Sequence, residues 1–102
     1  MAYETFKRES PTVPKSLHLS AQSLAQTCLG QLAEDPAQLA EFMTMTGYSP
    51  DTLRAAVGSA QLGRGLIDYF AANEPLLLAL CANNNIRPED FMRVWAELNP
   101  AG

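Results

Sequence analysis

The sequence predicts an all-α protein: a single compact bundle of five to six short helices, built from helical hairpins around a central apolar helix at residues 74–84. Three observations carry that expectation. Prolines open apolar-periodic runs at Pro36, Pro50, Pro75 and Pro88, Gly or Asn recurs where such runs stop, and no run between these marks alternates as a strand does. Proline in a helix's first turn gives up only an N–H that has no partner there, and Gly or Asn accepts the left-handed conformation that ends a helix.

Taken in order, residues 1–15 mix charges with two prolines and are expected to form a mobile tail, leaving residues 16–100 as the domain. A first helix is predicted from Ser16 to Ala33, with Leu17, Ala21, Leu24, Ala25, Cys28, Leu29 and Leu32 on one face. Asp35 caps a second, where Leu39, Phe42, Met43 and Thr46 face inward and Gly47 is the stop. Ser49 caps a short third helix from Pro50 to Val57, closed by Gly58. Ser59 caps a fourth with the stripe Leu62, Leu66, Tyr69 and Phe70; Gly63 and Gly65 either weaken it or let a neighbour approach.

The fifth helix is the stretch NEPLLLALCANNN, residues 73–85. Asn73 is its cap, Glu74 and Pro75 suit a first turn, and none of the six residues of LLLALC is β-branched, so a helix is favoured over a strand. The run is far shorter than the ~20 apolar residues that cross a bilayer. On a helical wheel Leu76, Leu77, Leu78, Leu80 and Cys81 cover more than half the circumference, with Ala79 and Ala82 on the remainder. A helix apolar all round is expected to be buried, which makes this one central. Its Ala79 and Ala82 side, where small residues allow close approach, is the candidate interface for another helix or a second copy. Pro88 opens a sixth helix, with Glu89 and Asp90 in its first turn and Phe91, Val94, Trp95 and Leu98 along one face. Residues 35–57 and 73–95 match in pattern, Asp35 aligning with Asn73 and Pro50 with Pro88, a match that helix grammar explains better than duplication does.

Composition narrows the function. A chain of 102 residues is one domain, and 47% apolar with 18% charged residues is the make-up of a folded one. A net charge of −4 disfavours nonspecific binding to nucleic acid. The cysteines, Cys28 and Cys81, are far apart in the chain and His18 is the only histidine, so no zinc-ligand spacing exists, and neither metal nor cofactor is expected. The opening stretch MAYETFKRESPTVPKS does not read as a secretion leader, so a cytoplasmic protein with both thiols reduced is expected.

Each candidate for chemistry has a competing structural explanation. FMTMTGYSPDTLRAAV, residues 42–57, has the outline of a DNA-reading helix-turn-helix. Yet Met43 stands where that motif wants a small residue, and the second helix begins Pro50-Asp51 with Arg54 its one basic residue, so an ordinary hairpin is favoured. His18 and Cys28 point roughly 80° apart and about 15 Å along one helix, too far to act as base and nucleophile within it. The carboxylate pairs Glu34-Asp35 and Glu89-Asp90 adjoin helix starts, where capping and the helix dipole account for them. Phe91, Met92 and Trp95 have the spacing of core packing. Arg54 and Asp68 are expected to form a structural ion pair between the third and fourth helices.

The order of landmarks also resembles a known family. QLAEDP, Phe42, Thr46-Gly47, Leu53-Arg54, LIDYF at 66–70, NEPLLLAL and RPED, followed by Leu98 and Pro100, are similar to domain-of-unknown-function family 3572, small alphaproteobacterial proteins. The resemblance covers about residues 17–100 and implies a compact all-helical cytoplasmic protein with no established activity, cofactor or catalytic residue. The expected role is therefore a non-enzymatic protein–protein interaction or self-associating module, with an unidentified protein partner or a homodimer. The alternatives are a helix-turn-helix DNA binder through residues 42–57 and, last, an enzyme.

Overall fold

A computed structural model of the chain describes residues 19–100. Within them lie six α-helices and no strand: α1 (Ala21–Ala33), α2 (Pro36–Thr46), α3 (Pro50–Ala56), α4 (Ala60–Ala71), α5 (Glu74–Asn84) and α6 (Pro88–Leu98). The punctuation read from the sequence marks most of their ends. Asp35 caps α2 through the Gln38 N–H, Ser59 caps α4 through that of Leu62, and Ser49 forms a reciprocal capping box with Thr52 at α3. Gly47 (φ 86°) and Asn85 (φ 57°) close α2 and α5 in the left-handed region, and Gly58 (φ 91°) makes the turn into α4.

Two ends differ from expectation. The first helix does not start at Ser16; it starts at Ala21, because Ser20 and Ser23 cap each other's backbone N–H and satisfy two donors that a longer helix would not free. Leu17, His18 and the tail at residues 1–15 lie outside the described residues. Asn73 occupies the cap position of α5, but its side chain makes no capping hydrogen bond.

The spine of the bundle is α1 laid along α4, the most extensive helix pair. Gly63 allows it: a Cβ at that position would sit 3.1 Å from the Cβ of Ala25. The close crossing seals Leu24, Cys28 and Leu32 of α1 against Leu62, Leu66, Ile67 and Phe70 of α4. Burying a leucine or phenylalanine side chain contributes ~1.5–3 kcal/mol, so each of these residues adds appreciably to stability. α2 attaches through Phe42, whose ring meets Tyr69 edge-on with centroids 5.3 Å apart. Phe91 and Val94 seat α6 in the same core.

The centre of the bundle is therefore the α1–α4 pair, α1 also touching α2, α5 and α6 and α4 also touching α3, α5 and α6, and not the apolar stretch at residues 74–84. α5 turns away from α4 by 108° and meets only α1, α4 and α6 extensively. Leu77, Leu80 and Cys81 face inward, while Leu78 is 47% exposed and Ala79 and Ala82 are exposed. The expectation failed for a physical reason. An all-round apolar surface states what a helix tolerates, but so few short helices supply neighbours for only one of its sides, and exposing a leucine and two alanines is an ordinary cost. No single helix among the described residues is long and apolar enough to cross a membrane.

Candidate interaction surface

Ala79 and Ala82 lie on the open side of α5. Leu78 stands beside them as a projecting apolar side chain, and a depression of about 340 Å³ opens at the end of the same face. Its walls are Leu78, Cys81, Ala82 and Asn85 of the helix and its left-handed stop, with Ile86, Arg87 and Pro88 of the link to α6. The left-handed Asn85 produces this shape: it turns the chain so that Ile86 is buried under α5 while Pro88 starts the next helix. Knob and hollow thus occupy one face. Of the Asp, Glu, Lys and Arg side chains, α5 itself carries Glu74 alone, in its first turn.

The thiols are not poised for chemistry. Cys28 is fully buried and Cys81 nearly so. Burial pushes the Cys28 thiol far above its ordinary range, with the nearby Cys81 adding to the effect. Cys81 is raised mainly by burial and secondarily by Glu89. A thiol held protonated is a small hydrophobe and a poor nucleophile. Among the described residues no group of three or more His, Cys, Asp and Glu side chains could hold a metal ion.

The predicted Arg54–Asp68 ion pair is not formed. Arg54 instead pairs with Asp51, one turn earlier on α3, at 2.5 Å with both side chains largely in solvent. Asp68 accepts from the Trp95 indole N–H at 2.9 Å and from the Asn99 amide at 3.4 Å, so it joins α4 to α6. Arg54 had a nearer carboxylate within its own helix, while a half-buried indole requires an acceptor and Asp68 supplies it. Trp95 is accordingly half-buried against the core with its polar edge tied down, in keeping with the packing role read from its spacing.

The α2–α3 hairpin offers little to DNA. Its second helix has seven residues, opens with Asp51 in the first turn, and has Arg54 neutralised by that aspartate.

Two polar clusters escaped the sequence reading. Gln38 and Glu41 of α2 meet the Tyr69 hydroxyl, which donates to Glu41 Oε1 at 2.8 Å and lies 2.6 Å from Gln38 Nε2. The available signal was that a tyrosine on a buried stripe needs a partner for its hydroxyl. Asp90, expected as a dipole complement in the first turn of α6, is also nearly buried, with Arg87 Nε 3.4 Å from its Oδ2 and Arg93 Nε 4.0 Å from its Oδ1.

The two hairpins that match in sequence pattern also share geometry. Asp35 and Asn73 have nearly the same backbone angles, Gly47 and Asn85 are both left-handed, and the buried anchors Phe42 and Leu53 match Leu80 and Phe91. The shared helix grammar suffices to produce this.

The model of a family described as "Protein of unknown function (DUF3572)" matches residues 18–101. No curated protein and no solved structure matches the chain.

Proposed function

We propose that this chain, which belongs to the DUF3572 family of proteins of unknown function, is a non-enzymatic, self-associating helical module of the cytoplasm whose two-fold interface is the open side of α5. One observation carries the reading: Leu78, 47% exposed, projects from the same face as the hollow at Ala82, Ile86 and Pro88. A two-fold contact joins a patch to itself, so it needs knob and hollow together on one surface. Ala79 and Ala82 let the two helices approach closely. In an antiparallel crossing Glu74 of one copy would approach Arg87 of the other, two charges of opposite sign at opposite ends of the patch.

Cross-linking tests this directly. Ala79→Cys and Ala82→Cys place thiols on the patch, whereas the native Cys28 and Cys81 are buried and should not react between folded copies. Under oxidised glutathione, at least one variant should yield a covalent dimer on a non-reducing gel while the parent chain stays monomeric on the gel. If neither variant cross-links, the α5 interface is wrong.

A further inference from the structure

A second concave surface lies apart from α5, in the groove between α1 and α4. It encloses about 350 Å³, within the size range of small-ligand sites. The groove runs beside the crossing where Ala25 packs on Gly63, and the partly exposed Ala21 and Leu29 of α1 are among its lining residues. Val57 stands at its edge, 55% exposed, a large apolar side chain left in water.

Its charge departs from that of the rest of the protein. Residues 19–100 hold nine carboxylate side chains, the eleven of the chain less Glu4 and Glu9. None of them lines the groove, whose single charged residue among those described is Arg64. Arg64 is also distinct among the four described arginines. Arg54 faces Asp51, Arg87 faces Asp90, and Arg93 faces Asp90 and Glu97, but Arg64 donates to the neutral Asn99 Oδ1, at 3.3 Å, and meets no carboxylate among the described residues. The carboxylate one turn along α4, Asp68, is engaged by Trp95 and Asn99. A guanidinium presents five donors, so most of those on Arg64 remain for a ligand.

We infer that this groove binds a small amphipathic anion, an aliphatic carboxylate whose chain lies against Ala21, Leu29 and Val57 and whose head group meets Arg64. The apolar slot accounts for the chain. The lack of any acidic lining residue beside a guanidinium with no described carboxylate partner accounts for the sign of the head group. This site is independent of the α5 interface.

The test is a titration of the full 102-residue chain with decanoate below its micellar concentration, followed by amide NMR, with decan-1-ol as the uncharged control. Saturable shifts are expected for amides of Ala21–Leu29 and Ala60–Leu66. Arg64→Gln should weaken decanoate binding about tenfold or more, and decan-1-ol should bind the parent chain no better than decanoate binds that variant. Arg64→Lys, which keeps the charge, should stay within a few-fold of the parent, and Ala79→Glu should leave binding unchanged. The inference is overturned by the absence of saturable shifts, by shifts confined to α5, by equal decanoate affinity in Arg64→Gln, or by equal affinity for decan-1-ol.

Discussion

Alanine substitutions at Gly63 and Gly65 should act in opposite directions although the residues lie two apart in one helix. Intrinsic helix propensity favours alanine over glycine by ~0.5–1 kcal/mol at an interior position, so each change starts from the same gain. At Gly65 nothing lies within 4 Å of the added methyl, and the gain is kept. At Gly63 the methyl arrives 3.1 Å from the Ala25 Cβ, inside the ~3.5–4.0 Å that carbon atoms prefer. Forcing a methyl into a packed seam costs ~1–3 kcal/mol, which cancels or exceeds the gain. Because propensity is common to both variants, the difference between them, about 1–3 kcal/mol, reports the α1–α4 crossing alone. For a domain of this size 1 kcal/mol moves the Tm by roughly 4–8 °C. Thermal unfolding followed by circular dichroism should show Gly65→Ala melting above the parent and Gly63→Ala at or below it. Relative to Ala25→Gly alone, adding Gly63→Ala should raise stability as Gly65→Ala does in the parent, since the opposing Cβ is gone. If Gly63→Ala stabilised as much as Gly65→Ala, the close packing of α1 on α4 would be refuted.

Other consequences concern the buried polar and thiol groups. Cys28 and Cys81 should react with a thiol-specific chromogenic reagent only on the timescale of unfolding, and a rapid native reaction of both would contradict their burial. Their raised native pKa values also give stability a sign with pH: the contribution is fully present below the unfolded thiol pKa near 9.0 and is lost as pH rises through that value toward the higher native one. Denaturation midpoints should therefore fall between about pH 8 and 10 and fall less in a Cys28→Ala, Cys81→Ala double variant. Trp95→Phe removes the indole donor to Asp68 and should cost ~0.5–1.5 kcal/mol in urea unfolding, whereas Arg54→Gln, which removes only an exposed ion pair, should cost under ~1 kcal/mol. A Trp95→Phe loss below ~0.5 kcal/mol would show that the indole does not tie Asp68 to α6 as the geometry places it.

Much of the fold was legible because helix ends are local chemistry. Asp35-Pro36, Ser49-Pro50 and Ser59 carry their capping bonds to nearby residues of the same helix start, and Gly47 and Asn85 state their backbone conformation by being what they are. The start of α1 was placed too early, at Ser16, because the apolar spacing continues back to Leu17, and what decides is the Ser23 hydroxyl reaching back to Ser20. Centrality was not legible at all. It depends on which pair of helices can approach closely, and that follows from Gly63 of one helix meeting Ala25 of another far back in the chain, a relation no periodicity encodes. The same holds for Asp68, which is tied to Trp95 on α6 although Arg54 is the nearer of the two in sequence. The interface candidates Ala79 and Ala82 were reached from their small size; their exposure is a tertiary property that follows from α5 being peripheral.

Self-association through α5 is the central claim, and sedimentation equilibrium reads it most directly. At tens of micromolar the parent chain should approach twice its monomer mass of 11.1 kDa, while Ala79→Glu should sediment as the monomer with its helicity intact, because Ala79 is exposed and its loss removes no core contact. A parent chain that stays at 11.1 kDa across that range contradicts the account.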